Sequence, residues 1–381
     1  MADQDAQSPV GIEPPALPSI RWAGPPGGSA AVVLLDQTRL PAEEVELPCT
    51  DVPALVRAIQ TLAVRGAPLL GIAGAYGVAL AAIRGDDMAE ASELLERARP
   101  TAVNLGYGVR RAAGAYRAAL DRGEDAQRAA AVALGEAEAL HREDAEASRR
   151  MAQYGLALLE ELLPGGGHQL LTHCNSGALV SGGEGTAFAV ALGAHRAGQL
   201  RRLWVDETRP LLQGARLTAY EAARNGMAYS LLTDNAAGSL FAAGEVDAVL
   251  IGADRIAADG SVANKVGSYP LAVLAKYHHV PFIVVAPTTT VDLQTPDGAA
   301  IIVEQRPGRE VTELTSSRIG VGGEAGGLPV APPGTQAYNP AFDITPPELI
   351  TAIVTEEGAV SPVTGVGLAE LCARSSQVTI S

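Results

Sequence analysis

The stretch Asp247–Gly267, DAVLIGADRIAADGSVANKVG, decides the predicted fold. It opens with the apolar run Ala248–Ile251 and then breaks at a Gly-Ala pair that precedes Asp254. A short apolar run bounded by turn signals predicts a buried strand. Because open α/β sheets hold their chemistry just beyond the carboxyl ends of their strands, we expect Asp254 to lie at such an edge. The polar residues Asn264 and Lys265 then fall in the loop that follows.

The residues after this stretch predict a helix and a second strand. Ser268 is a residue type that caps helices, and Pro270 suits a first helical turn. A helix is therefore expected over Tyr269–His278, and the apolar run Phe282–Ala286 predicts the next strand. The whole unit is expected to be strand, polar loop, helix and strand, with a carboxylate and an ammonium group in one loop.

The same alternation extends over the C-terminal part of the chain. The sequence PGGG at residues 164–167 marks a change of composition, and we expect a domain boundary there, between an N-terminal unit over residues 19–163 and a catalytic unit over residues 164–381. The predicted strands are Gln169–Thr172, Arg202–Val205, Tyr229–Thr233, Ala248–Ile251 and Phe282–Ala286, and the predicted helices are Thr186–Ala197, Ala215–Asn225, Ala236–Ala242 and Tyr269–His278. This alternation predicts a Rossmann-like parallel sheet with helices on both faces, in the α/β class. The Gly- and Pro-rich residues 320–336 are expected to form a long surface loop.

The N-terminal part predicts a different architecture. Residues 1–18 are acidic and rich in proline, so we expect a disordered lead-in and not a signal peptide. Two short apolar runs, Ala30–Leu35 and Val45–Leu47, predict a small antiparallel sheet. Asp51 is expected to cap a helix over Val52–Val64, and the residues beyond it predict a helical bundle. The predicted bundle helices are Leu69–Arg84, Met88–Ala98, Asn104–Arg122 and a long segment over Asp125–Leu162.

The composition of the chain excludes several classes of protein. A formal net charge of -15 over 381 residues repels nucleic acid and anionic membranes, so neither is an expected partner. The three cysteines, Cys49, Cys174 and Cys372, are too few and too widely spaced for a disulfide framework or a zinc cluster, and they favour a cytoplasmic location. The longest apolar run, Leu69–Ile83, contains three glycines and predicts a buried helix instead of a membrane span.

Polar and reactive residues directly follow four of the predicted strands. In a parallel sheet these strand ends share one edge, so we expect all four to form one pocket. The residues concerned are His173, Cys174, Asn175 and Ser176, then Asp206, Glu207, Thr208 and Arg209, then Asp234 and Asn235, and finally Asp254 and Arg255.

Cys174 is the candidate reactive thiol of this pocket. A free cysteine is often no more than a small buried apolar residue. Against that interpretation, Cys174 precedes SGGEGT at residues 181–186, which is expected to open a helix whose amide groups favour a thiolate or a bound anion. The same glycines do not predict a dinucleotide site, because the third glycine of GxGxxG and the Gly-Lys pair of a P-loop are absent. We therefore expect a functional thiol, and contact with a phosphate or a sugar.

Four further polar residues are candidates for substrate contacts. Lys265 shares its predicted loop with Asp254, a pairing that suits a substrate with both a hydroxyl group and an anion. Arg65 lies between two predicted helices, Arg99 precedes a Pro-Thr pair, and Gln213 follows the second C-terminal strand. Each of these three fits either a solvated surface side chain or a substrate contact.

Several long motifs of the chain resemble those of the methylthioribose-1-phosphate isomerases. The resemblance extends from about Ser19 to Gly358 and is highly specific, because many of the motifs are long and ungapped. The motifs are SIRW at Ser19–Trp22, LLDQTRLP at Leu34–Pro41, VRGAP at Val64–Pro68, RPTAVNL at Arg99–Leu105, LTHCNSGAL at Leu171–Leu179, DETRPLLQGARLTAYE at Asp206–Glu221, TDNAAG at Thr233–Gly238, GADRIAADGSVANKVGSYPLAVLAK at Gly252–Lys276 and NPAFDITP at Asn339–Pro346.

The resemblance implies an aldose-ketose isomerase of methionine salvage. Such an enzyme converts 5-methylthioribose 1-phosphate to 5-methylthioribulose 1-phosphate without a metal or an organic cofactor, and it forms a homodimer. Carried over by motif, Asp254 corresponds to the proton donor and Cys174 to the second catalytic residue. The implied substrate contacts are Arg65, Gly66, Ala67, Arg99, Gln213, Asn264 and Lys265.

Three departures from the family pattern leave alternatives open. Gly106-Tyr107-Gly108 stands where the family usually has bulky aromatic residues, Glu184 stands where a tyrosine is common, and residues from about 359 onward form an atypical tail. Changes at the rim of the pocket would alter its fit to the 5-substituent, so an isomerase of 5-deoxyribose 1-phosphate or of both sugars is also expected to fit. A ribose-1,5-bisphosphate isomerase would need further cations, and a regulatory subunit of the eukaryotic initiation exchange factor would share the fold without catalysis.

Overall fold

The computed structural model describes residues 18–24, 30–315 and 327–378. The predicted disordered lead-in lies outside these ranges except for Pro18, and the proposal that it is disordered stays a prediction. The chain begins with a small antiparallel sheet of β1 (Ile20–Ala23), β2 (Ala31–Leu35) and β3 (Glu46–Cys49), in that order. The prediction of this sheet is confirmed.

A helical bundle follows the small sheet, as predicted. It contains α1 (Val52–Gln60), α2 (Ala67–Arg84), α3 (Met88–Ala98), α4 (Val103–Asp121) and α5 (Ala126–Leu162). Asp51 caps α1, since its carboxylate accepts a hydrogen bond of 2.7 Å from the Ala54 amide. The predicted end of α1 at Val64 is wrong, because the backbone turns into the left-handed region at Leu62 with φ 65°.

Helix α2 is the centre of the bundle. It is the one helix among the described residues that is long and apolar enough to cross a membrane, and 89% of its apolar window is buried inside the protein. Its glycines allow a close approach of α4: a Cβ atom at Gly71 would lie 3.0 Å from the Asn104 carbonyl oxygen. The prediction of a closely packed interior helix is therefore confirmed.

Helix α5 belongs to two hydrophobic clusters. Its first half packs into the N-terminal cluster through residues such as Ala133 and Leu140, and its second half packs against the C-terminal sheet through Met151 and Leu159. The turn at residues 164–167 lies between α5 and the first strand of that sheet. The proposed division of the chain into two domains at this turn stays a prediction.

The C-terminal part contains the predicted Rossmann-like sheet. Its strands are β4 (His168–His173), β5 (Leu200–Asp206), β6 (Tyr229–Leu232), β7 (Ala248–Ile251), β10 (Phe282–Val285), β15 (Ala352–Thr355) and β16 (Gly358–Val360), and their order is β16-β15-β10-β7-β4-β5-β6. All neighbouring strands are parallel except the β15-β16 pair at one edge. Numbered along the chain, the parallel strands have the order 3-2-1-4-5-6 of a doubly wound sheet.

Helices cover both faces of this sheet. The C-terminal helices are α6 (Ala187–Arg196), α7 (Ala219–Arg224), α8 (Ala237–Ala243), α9 (Ser268–Tyr277), α10 (Arg309–Thr312) and α11 (Gly365–Val378). Alternate residues of each strand point to opposite faces: Leu250 packs in the cluster with α5 and α6, whereas Val249 and Ile251 pack in the cluster with α8 and α9.

The predicted polar loop after β7 is wrong, because it forms a β-hairpin. The hairpin contains β8 (Arg255–Ala257) and β9 (Val262–Lys265), and with β11 (Val291–Asp292) and β14 (Phe342–Thr345) it makes a four-stranded sheet of order β11-β8-β9-β14. The turn between β8 and β9 uses Gly260 at φ 93°. Asn264 and Lys265 are therefore held by strand pairing and not by a flexible loop.

Two smaller predictions also need correction. Ser268 does not cap α9; Gly267 holds the N-cap position, and the Ser268 hydroxyl donates instead to the Lys265 carbonyl at 2.7 Å. Part of the predicted loop over residues 320–336 lies outside the described residues, and within the rest Gly327–Pro329 forms β13, which pairs with β12 (Glu313–Thr315).

Candidate active site

A cleft opens at the carboxyl edge of the parallel sheet, between β4 and β7. The chain continues to one side of the sheet from β4 and to the other side from β7, which makes this pair the switch point where α/β sheets bind ligands. The cleft encloses about 760 Å³, counted to its open mouth. All nine residues that the family resemblance assigns to catalysis or substrate contact line it: Arg65, Gly66, Ala67, Arg99, Cys174, Gln213, Asp254, Asn264 and Lys265.

Cys174 lies directly after β4 in a constrained backbone conformation. Its φ is 63°, in the left-handed region, which costs a non-glycine residue about 1–3 kcal/mol and is typical of functional sites. The Thr218 hydroxyl donates to the Cys174 carbonyl oxygen at 2.5 Å and holds this conformation. The thiol is largely buried, with 7% of the residue exposed at the cleft.

Asp254 faces the same cleft from the end of β7. Its backbone N–H donates to the Ala263 carbonyl at 2.9 Å, so the β8-β9 hairpin fixes its position. Burial raises the pKa of Asp254 above its ordinary value, and the positive charges of Lys265, Arg99 and Arg65 only partly oppose this shift. A carboxyl group with a raised pKa can keep a proton and act as a general acid.

Lys265 brings a buried ammonium group to the cleft. Its Nζ donates to the Ala341 carbonyl at 3.0 Å and lies 5.6 Å from the centre of the Phe342 ring. Burial lowers the pKa of Lys265 below its ordinary value, while the charges of Cys174 and Asp254 act in the opposite direction. The ammonium group is therefore within electrostatic reach of both proposed catalytic residues.

Two arginine side chains at the cleft each have one N–H donor without a hydrogen-bond acceptor. Arg65 donates from Nη2 to Asn175 Oδ1 at 2.8 Å, and Arg99 donates from Nη2 to Glu304 Oε2 at 3.1 Å. The Nε atom of each arginine is buried and has no hydrogen-bond partner. Buried donors almost always have a partner, so these two indicate a position for an anionic ligand.

The start of α2 forms one wall of the cleft. Gly66 has φ 96°, and a Cβ atom there would lie 2.2 Å from Val180 Cβ, so no other residue fits. The N-cap residue Gly66 has no side chain to cap the first amides of α2, whereas in α6 the Phe188 N–H donates to the Ser176 hydroxyl at 3.2 Å. Two helix N-termini thus border the cleft, and both favour negative charge.

Other residues of the cleft were not predicted as substrate contacts. Arg306 lines it and forms ion pairs with Glu304 at 2.8 Å and with Glu310 at 2.6 Å. Burial raises the pKa of Glu304, but Arg99 and Arg306 outweigh it, and the net shift is downward. Arg306 lies in irregular backbone far from any strand end, so the sequence carries no local signal for it. In the described part of the chain, no group of three or more His, Cys, Asp or Glu side chains is arranged to hold a metal ion.

The prediction that all four strand ends form one pocket is wrong. Asp206, Glu207, Asp234 and Asn235 line a separate cleft beyond β5 and β6, which we call the side cleft. Among the described residues, only His173 lines both clefts; its Nδ1 lies 2.7 Å from Asp206 Oδ2 and its Nε2 lies 3.0 Å from the Val266 carbonyl oxygen. The separation follows from the strand order, because β5 and β6 lie on the far side of β4 from β7.

Two of the departures from the family pattern do not line the cleft itself. Tyr107 lines a different cavity, formed in part by α2, α4 and α5. Gly108 allows α4 to contact α2, since a Cβ atom there would lie 1.9 Å from the Gly71 carbonyl oxygen. Glu184 forms an ion pair with Arg196 at 2.7 Å. The cavity that Tyr107 lines shares Pro68 and Pro287 with the cleft, so the expectation that these positions form the rim of the substrate pocket stays a prediction.

Known proteins are similar to this chain in both fold and sequence. The model of the Initiation factor 2 subunit family matches residues 63–362. A methylthioribose-1-phosphate isomerase from Anaeromyxobacter sp. (strain Fw109-5) is 50% identical over 353 residues, which span 91% of this chain and 96% of the relative.

Two solved structures match over nearly the whole chain. The 5-methylthioribose 1-phosphate isomerase from Pyrococcus horikoshii OT3 has a TM-score of 0.79 and 36% identity, and the match covers 93% of this chain and 96% of that one. The translation initiation factor eIF-2B, subunit delta, from A. fulgidus has a TM-score of 0.75 and 39% identity, and the match covers 94% of this chain and 100% of that one. The chain therefore belongs to the Initiation factor 2 subunit family and, within it, to the methylthioribose-1-phosphate isomerases.

Proposed function

We propose that the protein is an aldose-ketose isomerase that converts 5-methylthioribose 1-phosphate to 5-methylthioribulose 1-phosphate, a step of methionine salvage. One observation carries the proposal: the switch-point cleft holds a thiol and a carboxyl group together with the buried Lys265 and several partly buried arginines. The family relationship agrees with it, since curated relatives at about half identity bear this activity in their names.

The cations of the cleft bind the phosphate of the substrate. Arg65, Arg99 and Lys265 supply positive charge, and the two free arginine Nε groups supply directed donors. Gln213 and Asn264 supply neutral polar groups on the same surface. A phosphate held in this way fixes C1 and C2 of the sugar against the reacting side chains, which is where most of the rate gain of such an enzyme arises.

Asp254 performs the proton transfers at oxygen. The ring must open before the carbonyl group can move, so Asp254 gives its proton to the ring oxygen as the C1–O4 bond breaks. The resulting carboxylate then accepts the proton of the C2 hydroxyl as the ketone forms at C2. The raised pKa of Asp254 suits the first of these roles, and one residue serves both because the two oxygens lie on adjacent parts of the sugar.

Two routes can move the hydrogen from C2 to C1, and atoms and electrons balance in both. In the first, the Cys174 thiolate removes the C2 proton, the electron pair forms the C1–C2 double bond and expels the ring oxygen, and the thiol later returns a proton to C1. In the second, the hydrogen migrates from C2 to C1 as a hydride after the ring opens, and Cys174 supplies only negative charge near the developing cation. The routes differ in whether solvent hydrogen enters C1.

A parallel assay tests the proposal and its alternatives. The purified protein is given the 1-phosphates of 5-methylthioribose, 5-deoxyribose and ribose, and ribose 1,5-bisphosphate, and ketose formation is measured. Turnover of the first substrate at the highest kcat/KM supports the proposal. Preference for the deoxy sugar or for the bisphosphate would reassign the substrate, and binding of a partner protein without turnover of any sugar would favour a regulatory subunit.

We also propose that the protein forms a homodimer and acts in the cytoplasm. The three free cysteines support a reducing compartment. On α9, Tyr269, Val273 and Tyr277 lie four residues apart on one face and are 45%, 41% and 77% exposed, which marks an apolar stripe suited to a second copy. Light scattering after gel filtration tests this, with Tyr277→Glu expected to give a monomer and a wild-type monomer contradicting the proposal.

A further inference from the structure

A short segment behind the cleft carries three buried polar side chains, Arg216, Thr218 and Glu221. It begins with the π-helical turn Gly214–Thr218 and continues into α7. Thr218 and Glu221 are only 1% and 5% exposed, and neither lines the cleft. Because π-helical turns are rare and concentrate at functional sites, the contacts of these side chains are informative.

Glu221 is linked to the cleft through Asn175. Asn175 donates from Nδ2 to Glu221 Oε2 at 2.5 Å, and its Oδ1 accepts from Arg65 Nη2 at 2.8 Å. The second carboxylate oxygen of Glu221 accepts from the Leu179 backbone N–H at 3.1 Å. A hydrogen-bonded chain therefore extends from Glu221 through one amide to a guanidinium group at the cleft.

The carboxyl group of Glu221 sets which way the Asn175 amide points, together with the Thr218 hydroxyl oxygen, which accepts from Asn175 Nδ2 at 3.2 Å. Both carboxyl oxygens of Glu221 accept hydrogen bonds, one from Asn175 and one from the Leu179 N–H, so the NH2 end of the amide faces Glu221. The carbonyl end then faces Arg65, whose guanidinium group only donates. A flipped amide would place its NH2 group against Arg65 and its oxygen against Glu221, and both contacts would be repulsive.

The backbone near the Glu221 carboxyl group is tightly packed. A Cβ atom at Gly177 would lie 2.3 Å from Glu221 Oε2, so the turn that contains Asn175 wraps closely around the carboxyl group. Burial raises the pKa of Glu221 to about 7, against the hydrogen bonds from Asn175 and Leu179 and the charge of Arg65. An acid in this position is costly for stability, and a role at the cleft accounts for it.

We propose that Glu221 is a positioning residue of the isomerase, which orients the Asn175 amide and through it aims the Arg65 guanidinium group at the phosphate of the substrate. This inference rests on the proposed function. Glu221 itself touches no substrate, and its effect is expected in substrate binding because Arg65 binds a group that does not react.

A double-mutant cycle between Glu221 and Arg65 tests the proposal. Glu221→Gln keeps the shape of the side chain but cannot accept from both Asn175 and Leu179, so KM is expected to rise about 10- to 100-fold while kcat changes less than about threefold. In an Arg65→Ala background the same change is expected to raise KM less than about twofold, because the residue it acts through is gone. Asn175→Ala gives a second variant with the same expected KM effect should Glu221→Gln fold poorly.

Glu44 offers a matched control. Its carboxylate accepts from the Tyr220 hydroxyl at 2.6 Å and pairs with Arg224, on the outer face of the same helix. Glu44→Gln removes a charge next to α7 without touching the chain to Arg65, so its KM is expected to equal that of the wild type.

The outcomes separate the two proposals. Turnover of the sugar phosphate by the wild type alone tests the proposed function. The ratio of the KM of the variant to the KM of the wild type tests the positioning role. A KM within twofold of wild type for folded Glu221→Gln, or an equal loss in the Arg65→Ala background, would overturn the role of Glu221. Should the wild type bind the sugar phosphate without turning it over, dissociation constants from calorimetry replace KM in the same cycle.

Discussion

The active-site cleft and the side cleft lie at the same edge of one sheet but differ in charge. The active-site cleft combines Asp254 and Cys174 with four basic side chains, whereas the titratable groups that line the side cleft are His173 and three carboxylates. The difference teaches that a strand end with polar residues is not enough to make an anion site. The active-site cleft forms where the chain leaves two neighbouring strands in opposite directions. Basic side chains from other parts of the chain can reach it there.

The largest difference in kcat is expected between variants of two aspartates, one from each cleft. Asp254→Asn removes the proposed proton donor, and we expect kcat to fall by about 10²–10⁴-fold with the fold intact. Asp234→Asn in the side cleft keeps an acceptor for the Arg209 backbone N–H, which now lies 3.0 Å from Asp234 Oδ1, and its kcat is expected to stay at the wild-type value. Steady-state kinetics with circular dichroism as a folding check make the comparison. Equal losses in the two variants would remove the functional distinction between the clefts.

Replacement of Cys174 is expected to have the next largest effect on kcat. Cys174→Ser replaces a thiol by a far weaker acid, and we expect kcat to fall by about 10²-fold or more if the thiolate moves the C2 proton. Turnover in deuterated water, followed by NMR of C1, separates the two chemical routes. Deuterium at C1 supports proton transfer by Cys174, and full retention of the original hydrogen supports the hydride shift, in which case the serine variant keeps most of its activity.

The pH dependence of the reaction provides a third test. The pKa of Asp254 is raised by burial, so the protonated donor persists above its ordinary range and is lost as the pH rises through the raised value. The pKa of Lys265 is lowered, so its charge is also lost on the alkaline side. We expect kcat to fall about tenfold per pH unit above the pKa of Asp254, and kcat/KM to fall more steeply. A kcat that rises with pH through this range would mean that Asp254 works only as a base.

The smallest effect is expected for single phosphate contacts. Arg99→Gln removes a charged donor, and we expect KM to rise about 10- to 100-fold with little change in kcat. Arg202→Gln is the control: Arg202 is exposed on β5, where it donates to the Ser230 hydroxyl at 2.7 Å, and the KM of this variant is expected to be unchanged. A KM for Arg99→Gln that matches this control would place the phosphate elsewhere in the cleft.

The elements with strong periodicity could be predicted from the sequence. The five predicted strands and the bundle helices have apolar patterns that fit only one secondary structure, and the structure confirms them within a few residues. The β8-β9 hairpin was missed because its residues are small and mixed, as in RIAADGSVANK, and resemble a loop. Its strands are fixed by pairing with β14 and β11, partners that follow much later in the chain.

The candidate site was predictable only where a residue follows a strand or matches a family motif. Cys174 and Asp254 satisfy both conditions. Arg306 satisfies neither, because it lies in irregular backbone, where local ion pairs with Glu304 and Glu310, two and four residues away, hold its side chain. Glu221 ends a family motif but received no role from the sequence, and only the packing of the turn at Gly177 shows that its side chain points inward.

Helix α5 has a consequence for how the protein melts. At 37 residues it is about 55 Å long, and its two halves stabilise the bundle and the sheet in turn. Loss of either hydrophobic cluster would leave half of this helix without support, so neither part can unravel alone at low cost. Differential scanning calorimetry should accordingly record a single cooperative heat-absorption peak, even though the chain is long enough for two independent ones.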